Sequence, residues 1–375
     1  ILKMSNIISN VYFKGIINNY LNKNKLNDIS YCDVDTHKRA RCVDSKIASQ
    51  LTDINSLSNK KLQYENLVKY LNGRPDYLPL TISFTEKNMS KLKSHFTTDE
   101  NNVKKKWIIK PENSLSRRGI VIIDNYQDLQ KHISNSGYGE WIFQQYVDNP
   151  LLINKKKFHF RLYVIVVQDK EKFEIYIYKK GFMYFAKKQY NINKIEQDTH
   201  LSGESSIKQV MVYPEDFTKH FSEDIYNKKI VPQFAKIAKE TILSVKDKLM
   251  CINEENGEKC FKFFGYDVLV DKDYKLYLAE INARIISLKY PPSYFKKEFY
   301  EAIMDLVIKN KQNNKLIQKV DTVYNSKKMI NIEGFTNRTK NNKTNIINLS
   351  KSNYKKCIAI IILLLIALVL KFKKK

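Results

Sequence analysis

Hydrophobic and polar positions along the chain follow two periods, and the switches between them predict its elements. Residues 59–71 carry apolar side chains at helical spacing, with Leu62, Leu67 and Leu71 toward a core, and stop at Asn72-Gly73-Arg74-Pro75. Residues 77–84 read as a strand, and 88–102 as a polar, mobile stretch. From residue 106 the pattern sharpens. A short buried strand over 107–109 ends on Lys110-Pro111, a polar loop over 112–119 follows, and a second strand runs over 120–123. A helix over 126–132 and a strand over 141–147 come next. Along KKKFHFRLYVIVV, residues 155–167, alternation places Lys157, His159 and Arg161 on one face, opposite Phe158, Phe160 and Leu162. Residues 173–178 predict a strand that turns at Lys179-Lys180-Gly181 into a hairpin with 182–185. Residues 231–250 form an amphipathic helix whose stripe of Phe234, Ile237, Ala238, Ile242, Val245 and Leu249 is core. A last helix is predicted over 293–309 and an Asn/Lys-rich linker from 311 to about 355.

The stretch CFKFFGYDVLVDKDYKLYLAEINARII, residues 260–286, carries the clearest chemistry. Its runs over 261–270 and 275–281 predict an antiparallel hairpin about Asp271-Lys272-Asp273. Asp267 lies in the first strand, Glu280 in the second, and Asn282 shares a face with Glu280. Two carboxylates and an amide oxygen on one sheet face suit a hard cation such as Mg²⁺, which shares its shell with phosphates and water. Acidic residues in a hairpin are often merely solvated, and Asp267 alone would read that way. Glu280 follows the apolar run Leu276-Tyr277-Leu278-Ala279, where an unpaired carboxylate is costly to bury, and this favours the metal. Three basic side chains on the 155–167 face call for an anion between them, and with Lys110 at a strand end a phosphate is the better guess than a solvated face. Together these features outline an ATP site. The loop ENSLSRRG, 112–119, can lend backbone N–H groups to phosphates, although its single glycine makes no nucleotide motif on its own. His200, in a polar loop, is either a ligand contact or an ordinary loop histidine, with the second favoured on pattern alone.

Composition adds bounds. A chain of 375 residues holds two or three structural units, and a hydrophobic fraction of 43% with 24 tyrosines excludes wholesale disorder. The formal charge of +26 is spread along the chain and favours an anionic partner: nucleic acid, anionic lipid or an acidic polypeptide. Bulk charge does not choose among them, but the aromatics fall in core strands instead of interleaving with basic residues, so specific nucleic-acid binding is not expected. The five cysteines show no CxxC pair and suggest free thiols in a reducing compartment; His37 between Cys32 and Cys42 matches no zinc-finger spacing. The run 357–370 is unbroken apolar sequence flanked by lysines, about 21 Å long as a helix against a hydrocarbon core of roughly 30 Å. Lysine snorkelling extends its reach, and it is expected as a C-terminal tail anchor over 356–372 that leaves the bulk of the chain facing the cytosol.

Read together, these segments resemble the tubulin-tyrosine ligase family, amino-acid ligases of ATP-grasp type that include tubulin polyglutamylases and polyglycylases. The blocks that carry the resemblance are NKKLQYENL (59–67), WIIKPENSLSRRGI (107–120), IFQQYVDNPLLINKKKFHFRLYV (142–164), IYIYKKGFMYFA (175–186), DTHLSGES (198–205) and FKFFGYDVLVDKDYKLYLAEINA (261–283). The resemblance implies an α+β chain with an ATP-grasp fold. A smaller N-terminal α/β domain is expected over 1–105 and the ligase domains over 106–310, followed by the linker and a single transmembrane helix.

It also implies roles. Lys110 matches a phosphate-contacting lysine, and Ser116, Arg118 and Gly119 fall in the flexible phosphate cover. Gln144, Gln145, Tyr146 and Val147 match the segment that holds the adenine. Lys157 and Arg161 match a basic pair, Lys60, Lys179 and His200 further cofactor contacts, and Asp267, Glu280 and Asn282 a magnesium triad. Lys157, Arg161 and Glu280 are the expected catalytic residues. The implied reaction joins a free amino acid to a carboxylate of tubulin or another acidic protein through an acylphosphate. The chain departs from the pattern at His159, where the family has aspartate, at Lys179 for arginine, and at Ser202-Gly203 for threonine-asparagine. These departures leave nucleotide and metal binding intact and touch acceptor or amino-acid recognition, and with them stands the alternative of a catalytically weakened, membrane-anchored scaffold.

Overall fold

The long alternating strand becomes the middle of a large sheet in the computed structural model. The structure describes residues 7–8, 11–26, 31–33, 47–49, 51–98, 103–112, 118–169, 172–202, 211–212, 220–251, 259–283 and 293–324. These fall within one compact unit that ends at Tyr324. Among the described residues the strands form a ten-stranded and a four-stranded sheet. In the large sheet β9 (Lys156–Gln168) lies between β10 (Lys172–Phe185) and β12 (Lys259–Val270), antiparallel to both. Beyond β12, β13 (Leu276–Asn282) closes the predicted hairpin.

Alternation along β9 explains why this strand is buried. Phe158, Phe160, Leu162, Val164 and Val166 enter one core with the helix Val231–Leu243. Tyr163, Ile165 and Val167 enter a second core on the opposite face, under the helix Ser293–Lys309. The apolar stripe expected on the first helix is buried from Phe234 through Leu249, although the α-helix itself ends at Leu243. On the second face the series runs back through Arg161 and His159 to Lys157, where apolar side chains give way to polar ones. That change of character marks the site.

The small sheet has the order β4 (Thr81–Phe84), β7 (Trp141–Gln145), β5 (Trp107–Pro111), β6 (Val121–Ile123). Trp107, Ile109, Trp141 and Phe143 form its core with Met89 and Leu92. The latter two belong to a 3-10 helix over Glu86–His95, in the stretch expected to be mobile. Two buried apolar side chains anchor what its polar composition concealed. Strands from the first 105 residues enter both sheets: β3 (Ile47–Ala48) pairs with β12, and β4 with β7.

Four other expectations are corrected. Leu62 is 38% exposed; Leu67 alone of the three leucines is fully buried. The segment 173–185 is no hairpin, since both halves pair with β9, and Lys179-Lys180-Gly181 form a bulge between Tyr178 and Phe182. The expected linker begins with β14 (Ile317–Tyr324), antiparallel to β10. Cys251 and Cys260 are joined in a disulfide with Cα atoms 5.5 Å apart, so these two are not free thiols. Among the described residues no helix is long and apolar enough to cross a membrane; the apolar run 357–370 lies outside them.

Candidate active site

Asp267 and Glu280 stand directly opposite each other across the β12–β13 pair, just before a bulge that shifts the register. Asn282, opposite Gly265, lies two residues along the same face, with its amide nitrogen 3.4 Å from Asp267 Oδ2. The three expected metal ligands are therefore brought together. On the other side of β12, Arg161 faces Asp267 and binds both its oxygens, Nε to Oδ1 and Nη2 to Oδ2 at 2.9 Å. Burial alone would raise the Asp267 carboxyl, but Arg161 and then His159 hold it below the usual carboxylate range. His159 Nδ1 lies 2.6 Å from Ser202 Oγ, its Nε2 3.6 Å from Asp267 Oδ1, and its ring stacks on Tyr184. The anion that the basic face called for is thus, for Arg161 and His159, a carboxylate of the protein itself.

Two lysines complete the cluster. Lys110, at the end of β5, is buried and donates to Gln144 Oε1 at 2.8 Å. Burial pushes its ammonium down to about 8, against the pull of Glu280 and Asp267. Lys157, 2% exposed, donates to Tyr146 Oη at 2.7 Å and Val147 O at 3.2 Å. Burial, and then the charge of Lys110, push it down to about 7. Lys60 lines a small cavity with Lys110, Gln144 and Thr81. It opens the helix Lys60–Tyr70, whose cap Asn59 accepts from Leu62 N and donates to Glu112 Oε1 at 2.9 Å.

Other expected contacts are differently engaged. Gln144 spends its amide on Lys110 and on Thr81 Oγ1 at 2.9 Å, and the backbone N–H groups of Gln145 and Tyr146 donate to Leu80 O and Lys106 O. His200 is 1% exposed and bonds through both ring nitrogens, to Tyr146 Oη and Lys194 O. Lys179 donates to Asn314 O, next to β14. Arg118 is exposed, Gly119 takes a positive φ of +71° where a Cβ would strike Pro111, and Ser116 lies outside the described residues. Sequence reasoning missed Thr81, Asn59 and Glu112. Asn59 one residue before a helical pattern was a capping signal; Thr81 gave none.

The donor set fits the magnesium ion that the resemblance implies. Among the described residues no three His, Cys, Asp or Glu side chains gather to hold a metal ion by themselves. Two carboxylates with an amide oxygen, beside buried lysines, suit a hard ion that completes its shell with phosphate oxygens.

The comparisons agree with this geometry. The profile of the tubulin-tyrosine ligase family matches residues 42–284. Tubulin glycylase 3C of Tetrahymena thermophila is 31% identical over 204 residues, 50% of this chain and 18% of that protein. The probable alpha-tubulin polyglutamylase Ttll1 of the same organism is 28% identical over 198 residues, 47% of each. The chain thus spans less than half the length of these curated relatives. Among solved structures, the C-terminal domain of K. lactis Pby1, described as an ATP-grasp enzyme interacting with the mRNA decapping enzyme Dcp2, aligns with a TM-score of 0.60. That alignment covers 84% of this chain and 97% of the other at 18% identity, a likeness of fold. With a family profile across more than half its length and an ATP-grasp fold around the cluster just described, the chain belongs to the tubulin-tyrosine ligase family.

Proposed function

We propose that the chain is an ATP-dependent carboxylate–amine ligase that joins an amino acid to a carboxylate on an acidic protein tail, with tubulin the first substrate to test. One observation carries the reading: Lys110, Lys157 and the Arg161–Asp267 pair converge beside Glu280 and Asn282. In the proposed reaction the acceptor carboxylate attacks the γ-phosphorus of ATP and expels ADP, and the amine of the incoming amino acid then attacks the acylphosphate carbonyl, forming the amide with loss of phosphate and a proton. Such chemistry asks a protein mainly for position and charge neutralisation. Lys110 and Lys157 would hold phosphate oxygens, and Arg161 would fix Asp267. Asp267, Glu280 and Asn282 would hold magnesium, which when bound neutralises phosphate charge.

The names of the relatives point to glycine or glutamate as the amino acid, and the +26 charge fits an acidic tail. Incubating the chain with ATP, Mg²⁺, tubulin and labelled glycine, glutamate or tyrosine tests the proposal. Incorporation that disappears in Glu280→Gln supports it, whereas nucleotide binding with no incorporation moves the reading to a scaffold. The scaffold has one observation in its favour: the imidazole of His159 stands beside Asp267 where the resemblance expects a carboxylate.

A further inference from the structure

Gln144 and Tyr146, two residues apart at the end of β7, each receive a lysine from a different sheet. Lys110 of the small sheet donates to Gln144 Oε1, and Lys157 of the large sheet to Tyr146 Oη. Both acceptors are backed by a second polar group of fixed direction. Gln144 Nε2 donates to Thr81 Oγ1 at 2.9 Å, whose hydroxyl donates to Pro79 O at 2.8 Å. His200 Nε2 lies 2.7 Å from Lys194 O, and a carbonyl only accepts, so that nitrogen carries the proton. Nδ1 therefore accepts from the Tyr146 hydroxyl at 2.7 Å, which leaves the tyrosine oxygen to accept from Lys157. Burial lowers the pKa of His200, in keeping with a neutral ring. Each relay thus ends in an acceptor that faces an ammonium. The Tyr146 ring adds to this, with Lys157 Nζ 3.9 Å from its centroid.

Among the described residues the lysines are not saturated by these bonds. An ammonium has three donors; Lys110 gives one to Gln144, and Lys157 gives two, to Tyr146 and Val147. Lys157, a buried ammonium that the charge of Lys110 also disfavours, is relieved by an anion that both can reach.

We infer that Gln144 and Tyr146, backed by Thr81 and His200, are positioning residues that aim Lys110 and Lys157 at one polyphosphate. This rests on the nucleotide reading proposed above and gives Gln144, Tyr146 and His200 a role that acts through the lysines. Donors held in place before the charge arrives need no reorganisation when it does.

The test is acetylation of the full chain by acetic anhydride with and without MgATP, read lysine by lysine through peptide mass spectrometry. In the wild type, nucleotide protects both Lys110 and Lys157. Tyr146→Phe and His200→Leu reduce protection of Lys157 by roughly tenfold and leave that of Lys110. Gln144→Leu does the reverse. His200→Gln, whose amide can donate to Lys194 O and accept from Tyr146, restores Lys157. A merely structural role would move both lysines together or fail to separate His200→Gln from His200→Leu. Either result overturns the inference, as does a wild type in which neither lysine is protected. The crossed pattern without amino-acid incorporation keeps the inference and removes the ligase; incorporation without the crossed pattern does the opposite.

Discussion

Arg161 grips Asp267 by two parallel hydrogen bonds across the β9–β12 pair, where the two residues stand in direct register. The grip sets the orientation of a carboxylate that faces Glu280 on the next strand. A planar guanidinium can do this with two donors at once, and a lysine cannot. Removing it strands a buried charge. Arg161→Met is expected to cost roughly 3–5 kcal/mol of stability, and Arg161→Lys to fold but lose activity. Denaturant unfolding alongside an incorporation assay checks both; an Arg161→Lys variant of full activity would show that the fork is dispensable.

Glycines shape the surroundings of Arg161 from two sides. A Cβ on Gly181, in the β10 bulge, would collide with the Arg161 carbonyl oxygen, a backbone atom that cannot step aside. One on Gly265 would meet Arg161 Cδ at 3.1 Å, in a side chain that can shift slightly. Gly181→Ala is therefore expected to lose about 2 kcal/mol of stability, and Gly265→Ala to lose activity with a smaller stability change. Melting curves paired with turnover would show the split; equal stability losses would contradict it.

The two depressed lysines make nucleotide affinity depend on pH. Bound polyphosphate holds the protons on Lys110 and Lys157, while without it they leave as pH rises through about 8 and about 7. Apparent affinity should therefore fall as pH climbs above about 7, and binding at pH 8 should take up protons. Calorimetry in buffers of different ionisation enthalpy measures the uptake. Binding at pH 8 with no proton exchange would mean that the lysines are already fully charged.

Strand alternation made much of this legible. It placed Glu280 with Asn282 on one side of their strand, and Lys157 with His159 and Arg161 on one side of theirs, because a period of two is a property of the strand itself; pairing then set Asp267 opposite both Arg161 and Glu280 on a shared sheet face. What it could not supply was the partner of each group. That Gln144 meets Thr81 and Lys110, and His200 meets Tyr146, depends on the fold, over separations invisible in local sequence. The bulge over Lys179-Lys180-Gly181 looked like a turn for a related reason. Turn chemistry is local, whereas the continued pairing of both halves with β9 is not. The disulfide between Cys251 and Cys260 spans nine residues, with no spacing motif to announce it.

Binding of ATP at varied Mg²⁺, compared between the wild type and Glu280→Gln by calorimetry, tests the central claim most directly. If Asp267, Glu280 and Asn282 share a magnesium ion with bound nucleotide, wild-type affinity rises with Mg²⁺ and the rise is lost in the variant, while the magnesium-free affinity persists through Lys110 and Lys157. An unchanged magnesium dependence in Glu280→Gln would place the metal elsewhere and contradict the account.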